Sequence, residues 1–254
     1  MKKITAGGKQ FEAELFVFDK DGLLFESRQF WIGLSYARIR AFQKFAEPQL
    51  ILDWLYFMGI DAYLEHESIV VRNVDPSGIL AVASPTEEIS VTAGFISEHL
   101  HQKWTSAREM AREIFAVSDD EFSLQESIRP RKGFPEIFKR LRSAGIPYGI
   151  ATSDTLRRAK ESIDMYDDFH QVSFVITPQD VQKGKPDPEM LQHISKLTGI
   201  DVKHIVMIGD SYVDVQMADA AGAIGIGIPE NAEMAKKMQP FATVIIDSLD
   251  HIIF

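Results

Sequence analysis

The chain contains no cysteine. That absence excludes a disulfide framework, a zinc site built on thiolates and a cysteine nucleophile, and it suits a reducing compartment. Long apolar runs are also missing: Leu50 to Ile60, the longest in the first half, is interrupted by Asp53. No segment approaches the ~20 apolar residues that span a bilayer, so no membrane association is expected. Met1, Lys2 and Lys3 make a basic start, but Ile4 to Gln10 is mostly polar and glycine-bearing where a secretory signal needs an apolar stretch. A cytoplasmic protein is expected. Positive charge is in short supply too, with 27 Lys and Arg against 37 Asp and Glu and a formal net charge of −10. This argues against a non-specific nucleic-acid partner, because such binding needs basic side chains to neutralise phosphates. An acidic protein can still take a small phosphorylated molecule where a metal and one or two local cations reverse the field.

What is present is an ordinary globular composition, 45% hydrophobic and 25% charged, in 254 residues that allow one large domain or a core with a companion. Leu15 to Phe18 is an apolar run of strand length that stops at Asp19, Lys20 and Asp21 before Gly22. The same arrangement recurs at Pro147 to Ala151 before Thr152 and Ser153, at Val172 to Ile176 before Thr177, and at His204 to Ile208 before Gly209 and Asp210. Helical patterns lie between and after these runs: Phe134 to Ser143 closed by Gly145, Leu156 to Ile163, Glu189 to Thr198 closed by Gly199, and Tyr212 to Ala221 closed by Gly222. Alternating strand and helix implies a parallel sheet, whose ligands bind beyond the carboxyl ends of the strands, where all these polar tips fall. From about Ser27 to Gln125 the alternation stops. That segment is rich in aromatics and reads as a helical insert, with a break near Asn73 to Gly78. Most of its rings suit a packed core, and a few polar residues at its mouth would remain to select a ligand.

Asp19 and Asp21, separated by one residue at a strand tip, repel each other unless a cation lies nearby or one holds a proton. Chemistry can use both outcomes, since an ionised carboxylate can attack phosphorus while a neighbouring one gives a proton to the leaving oxygen. A solvated turn is the plain alternative, because Asp and Gly are common there. Asp210 and Asp214 are four apart at the opening of a helix and suit a hard, oxygen-loving ion, though acids near a helix start also serve as caps. Lys185 lies in the loop string KGKPDP, and Thr152 and Ser153 could donate hydrogen bonds to phosphoryl oxygens or simply cap a helix. The decisive feature is that these elements occur in order, each at a strand tip or in the loop beyond it.

In four motifs the chain resembles the haloacid dehalogenase-like hydrolase superfamily, in the branch with a helical cap after the first strand. They stand here as FDKDGLL, ATSD, KGKPDP and IGDSYVD. The resemblance implies an α/β fold, a Rossmann-like parallel-sheet core of residues 1–26 and 126–254 with an inserted α-helical cap domain over 27–125. It implies a phosphatase that forms a phosphoaspartate on Asp19, with Asp21 as general acid and base. Mg²⁺ is then held by the Asp19 carboxylate, the Asp21 carbonyl and Asp210, with Asp214 a ligand or a partner behind them. Thr152 and Ser153 bind the phosphoryl group, and Lys185 neutralises it and fixes Asp19. Lys20 fills the variable position between the aspartates, pointing to the sheet edge or to substrate. Glu26 stands where relatives often carry Asp, and Lys183 is a second lysine near Lys185.

The expected substrate is a small phosphorylated metabolite. A phosphomutase needs the same residues, a dehalogenase needs neither Asp21 nor Mg²⁺, and a non-catalytic phosphate-binding module would have lost at least one of these groups. His99 and His101, two apart, would face different sides of a helix and make a poor metal pair. Gly7, Gly8 and Lys9 lack the remaining residues of a phosphate-binding loop.

Overall fold

The computed structural model describes all 254 residues, the side chain of Ser27 excepted. The chain opens with β1 (Lys2–Ala6), β2 (Lys9–Ala13) and β3 (Leu15–Phe18). It continues through α1 (Ser27–Phe42), α2 (Pro48–Phe57), β4 (Ile60–Glu65), β5 (Ser68–Val74), α3 (Ile79–Val82), α4 (Pro85–His99), α5 (Trp104–Glu121) and α6 (Leu124–Ser127). There follow α7 (Glu136–Ala144), β6 (Tyr148–Ala151), α8 (Leu156–Asp164), β7 (Val175–Ile176), α9 (Glu189–Thr198), β8 (Ile205–Gly209), α10 (Tyr212–Ala221), β9 (Ile224–Gly227), α11 (Ala232–Met238), β10 (Val244–Ile245) and β11 (Ile252–Ile253). Two compact units result: Met1–Ser27 with Arg129–Phe254, and Arg28–Ile128.

The first unit is an α/β sandwich around a six-stranded sheet in the order β10-β9-β8-β3-β6-β7, with every pairing parallel. Its central strand, Leu-Phe-Val-Phe, is buried on both faces, as a strand covered by helices on either side requires. Leu15 and Val17 pack with Ile205 and Met207 against Met190, Leu191 and Ile194 of α9 and Met217 and Ala218 of α10. Phe16 and Phe18 point the other way, onto Phe254 at 5.8 Å and Phe138 of α7 at 5.2 Å between ring centroids. Each such side chain contributes about 1.5–3 kcal/mol of burial. The helices α7, α9 and α10 end where a glycine takes a left-handed conformation, at Gly145, Gly199 and Gly222.

A second sheet in this unit, the antiparallel β11-β1-β2, was not visible as an apolar run. Ile4 and Ala6 are the buried positions of β1, alternating with more exposed polar ones, and Gly7 and Gly8 form the turn with φ of +53° and +78°. The Gly7-Gly8-Lys9 string is therefore a hairpin corner.

The second unit is mostly helical, with an aromatic interior. Trp54 packs edge-on against Phe42 at 5.2 Å and donates its indole N–H to Thr92 Oγ1 at 3.1 Å; Phe30 is held between Trp31 and Phe122. Arg38 is buried here and pairs with Asp119 at 2.6 Å. The unit departs from an all-helical insert by the antiparallel hairpin β4–β5, and the break near Asn73 to Gly78 is where β5 ends in a turn closed by the Ser77 N–H donating to Asp75 Oδ1 at 2.8 Å. The His99 ring lies tilted against Phe95, with centroids 4.2 Å apart. Among the described residues no helix is long and apolar enough to cross a membrane.

Candidate active site

The strand order reverses between β3 and β8, the topological switch point where a crevice opens beyond the strand ends in doubly wound sheets. Asp19 follows β3 and Asp210 follows β8, so the two acids leave the sheet side by side. The Asp19 N–H still donates to the Ile208 carbonyl at 2.9 Å, which extends the ladder to the carboxylate's own residue. Beyond it the chain turns sharply, with the Gly22 N–H donating to the Phe25 carbonyl and the Leu24 N–H to that of Lys20, both at 2.9 Å. Gly22 has φ of +85°, and a Cβ there would overlap the Asp210 carboxylate. Gly209 stands in the same relation to Asp214. These two glycines are what let the acids approach.

Asp19, Asp210 and Asp214 each offer a carboxylate oxygen, and these atoms lie within 4.8 Å of one another. Lys185, with a side chain only 3% exposed, donates to Asp19 Oδ1 and to Asp214 Oδ1, both at 2.6 Å. The other oxygen of Asp214 accepts from the Ser211 N–H at 3.2 Å, which ties the acid to the start of α10. Lys183, the alternative lysine, is exposed and pairs with Asp187 at 3.5 Å. Arg131 donates to the Gly22 carbonyl.

Electrostatics follow from this packing. Burial lifts Asp19 to about 6 against the pull of Lys185, with Asp214 adding to the rise. Asp210 is held well above the usual carboxylate range by burial and then by Asp19, Asp214 and Glu230, with Arg131 opposing. Burial disfavours the Lys185 charge, yet Asp19 and Asp214 outweigh it and raise its pKa. Three acids against one ammonium leave a deficit of two positive charges, which one divalent cation would fill. The donors are all oxygen, the set that a small hard cation prefers over a thiolate or imidazole site.

Asp21 lies beside this cluster with its carboxylate turned to Lys20, whose ammonium is 2.5 Å from Asp21 Oδ1 and 2.9 Å from Asp154 Oδ2. Burial lifts Asp21 to about 6, against Lys20 and with Asp154. Thr152 is buried at the tip of β6, the strand next to β3, and its hydroxyl accepts from the Asp154 N–H at 3.0 Å. Ser153 is half-buried beside it. Sequence pattern alone left Lys20 undirected and gave no reason to single out Asp154, Arg158 or Arg131. Each is an ordinary charged residue in the sequence, and only the fold brings them to the strand tips.

Fold and site together define a doubly wound α/β protein with an oxygen-rich, acid-and-lysine ligand site at its switch point. A family model, haloacid dehalogenase-like hydrolase, matches residues 13–222, and the chain belongs to that family. It is 33% identical over 88 residues, 35% of this chain and 37% of the relative, to a phosphoglycolate phosphatase from Neisseria meningitidis. It is 30% identical over 94 residues, 37% of this chain and 42% of the relative, to the N-acetylmuramic acid 6-phosphate phosphatase of Pseudomonas aeruginosa. The chain thus spans less than half the length of these curated relatives. Among solved structures it resembles a predicted phosphoglycolate phosphatase from Haemophilus somnus, with TM-score 0.64, 15% identity and coverage of 94% of this chain and 96% of the other. It also resembles a hydrolase of the same family from Deinococcus radiodurans with bound phosphate and sodium, with TM-score 0.55, 20% identity and coverage of 94% and 93%. At these identities the structural likeness speaks for the fold.

Proposed function

We propose that the protein is a cytoplasmic, Mg²⁺-dependent phosphatase acting on a small phosphate monoester, with Asp19 as nucleophile. The observation that carries this reading is Lys185 bridging Asp19 and Asp214 within an acid cluster that includes Asp210. The phosphatase names of the sequence relatives point the same way. The Asp19 and Asp210 carboxylates and the Asp21 main-chain carbonyl would hold Mg²⁺, with Asp214 beside them. When bound, the ion supplies the positive charge that lets a phosphate dianion and two carboxylates share one site.

The chain's own groups carry the reaction. Lys185 fixes the Asp19 Oδ1 side, leaving the other oxygen to attack phosphorus. As the phosphorus–oxygen bond of the ester breaks, its electron pair stays on the departing oxygen, which takes a proton from Asp21. Asp21 then accepts a proton from the water that hydrolyses the phosphoaspartate and releases inorganic phosphate. Thr152 and Ser153 would bind phosphoryl oxygens from the β6 tip. The 27–125 segment, close to the Arg28–Ile128 unit, is assigned the part of a cap that selects substrate.

The test is phosphate release from 2-phosphoglycolate, N-acetylmuramic acid 6-phosphate, glucose 6-phosphate and p-nitrophenyl phosphate, with Mg²⁺ or with excess EDTA. Turnover of at least one alkyl phosphate with Mg²⁺, none with EDTA, and none in the Asp19→Asn variant are expected. Full activity in EDTA, or single-turnover phosphate release by Asp19→Asn, overturns the reading; a phosphate ester isomer as product would make the protein a mutase.

A further inference from the structure

Lys20 is fully buried at the tip of β3, one residue from the proposed nucleophile. Its ammonium lies between two other acids, Asp21 Oδ1 at 2.5 Å and Asp154 Oδ2 at 2.9 Å. Asp154 is anchored in turn: its Oδ1 accepts from Arg158 Nε at 2.6 Å and from the Thr155 N–H at 2.7 Å. Its own N–H donates to the Thr152 hydroxyl at 3.0 Å. Arg158 is 5% exposed and Asp154 is 7%, so the string is almost entirely out of water. Four charges of alternating sign, Asp21, Lys20, Asp154 and Arg158, therefore run from the tip of β3 to the first turn of α8. Along the way they meet the hydroxyl expected to bind the phosphoryl group.

Such a string is a costly way to hold a fold together. Desolvating each ion takes back most of what the pairing gains, and apolar residues of similar volume often do as well. It does fix geometry. With one oxygen of Asp21 held by Lys20, the carboxylate cannot spin freely, and the other oxygen is left to exchange a proton with the ester.

We propose that Lys20 is a positioning residue for the acid–base work of Asp21, itself held in place by Asp154 and Arg158. The inference rests on the reading of Asp21 as the acid, and the two can fail separately. Proton donation matters for an alkyl phosphate, whose departing alkoxide is strongly basic, and hardly at all for p-nitrophenyl phosphate, whose departing phenolate is stable in water. A merely structural role would slow both substrates alike.

The experiment compares kcat/KM for p-nitrophenyl phosphate and for the alkyl phosphate of the panel turned over fastest, because kcat/KM covers only the steps up to departure of the phenol or alcohol and leaves out the later phosphoaspartate hydrolysis, in which Asp21 is the base for both substrates. Wild type, Lys20→Met, Asp21→Ala and the double variant are measured with saturating Mg²⁺. Lys20→Met is expected to lower kcat/KM on the alkyl phosphate by roughly 30–300-fold, around the lower end of what general acid catalysis contributes. The fall in kcat/KM on p-nitrophenyl phosphate should be under about 5-fold. In the Asp21→Ala background, Lys20→Met should cause no further loss on the alkyl phosphate. Equal losses on both substrates, or no loss on either, overturn the role of Lys20 while leaving Asp21 untouched. An Asp21→Ala variant that lowers kcat/KM for both substrates equally, or a wild type that turns over no alkyl phosphate, overturns the acid reading beneath it. Should Lys20→Met fail to fold, Asp154→Asn keeps the shape and removes the charge behind Lys20. The same two substrates are then compared, and a selective loss on the alkyl phosphate supports the proposal while an equal loss, or none, overturns it.

Discussion

Gly22 shows how much of the site hangs on single atoms that are not there. Its φ of +85° lies in the region where an L side chain costs about 1–2 kcal/mol, and a Cβ would enter the space of the Asp210 carboxylate. Lys185 binds both Asp19 and Asp214, while burial, Asp19, Asp214 and Glu230 all disfavour the charge of Asp210 and Arg131 opposes them, so Asp210 is the acid a cation would help most. Gly22→Ala should therefore push Asp210 out of reach of Asp19 and Asp214 without unfolding the sheet beneath. The Mg²⁺ concentration giving half-maximal phosphate release is expected to rise by roughly 10–100-fold, the cost usually seen when a metal ligand loses its support. Far-ultraviolet circular dichroism should match wild type. Unchanged Mg²⁺ dependence would show that the approach of Gly22 to Asp210 plays no part in holding the ion.

The elements of the core were readable because local pattern and tertiary demand agree there. Leu15 to Phe18 is β3 without adjustment, and α9 and α10 begin and end where Glu189, Gly199, Tyr212 and Gly222 indicated. A strand buried on both faces must be a solid apolar run, and a glycine in a left-handed conformation is a common way to stop a helix. What escaped notice lacks one of those constraints. The β1–β2 hairpin buries only one face, so Lys3 and Thr5 dilute its signal, and β10 and β11 are two residues each. At the site, placement after strands marked the acids as candidates and the family resemblance singled out Lys185; the fold brings Asp19, Asp210, Asp214 and Lys185 together. The pairing of Lys20 with Asp154 was not, because 134 positions separate them and neither motif requires the other. The hairpin β4–β5 was hidden for a more specific reason. Its two-residue turn is His66-Glu67, at φ of +46° and +65°, where Asn-Gly is the combination that announces such a corner. Replacing the pair, His66→Asn with Glu67→Gly, should relieve the left-handed strain and stabilise the Arg28–Ile128 unit by about 0.5–1.5 kcal/mol. Chemical denaturation followed by Trp fluorescence reads this directly, since Trp31, Trp54 and Trp104 all lie in that unit. A lower midpoint would mean that His66 and Glu67 make contacts worth more than the strain.

For the molecule as a whole, the site is a liability until it is filled. Asp19 and Asp21 are both lifted to about 6 in the fold, chiefly by burial, from a usual value of 3.8. Between those values the folded chain keeps protons that the unfolded chain has lost, so stability must fall as pH rises through that window and stay low above it. Asp154 works in the opposite sense, held below 3.8 because Lys20 and Arg158 outweigh its burial, but its effect is confined to more acid solution. The metal-free protein is therefore expected to melt higher at pH 5 than at pH 7.5. Two partly coupled acids contribute about 1–3 kcal/mol, which for a chain of this size is a difference of about 2–12 °C. On the proposed reading, excess Mg²⁺ would bind the ionised carboxylates and should raise the melting temperature at pH 7.5 more than at pH 5, closing or reversing the gap. Differential scanning calorimetry with EDTA and with Mg²⁺ at the two pH values measures both effects. A metal-free protein that is equally stable at both, and that Mg²⁺ does not stabilise at pH 7.5, would mean that the clustered acids are already satisfied by Lys185, Lys20 and Arg131 and need no ion at all.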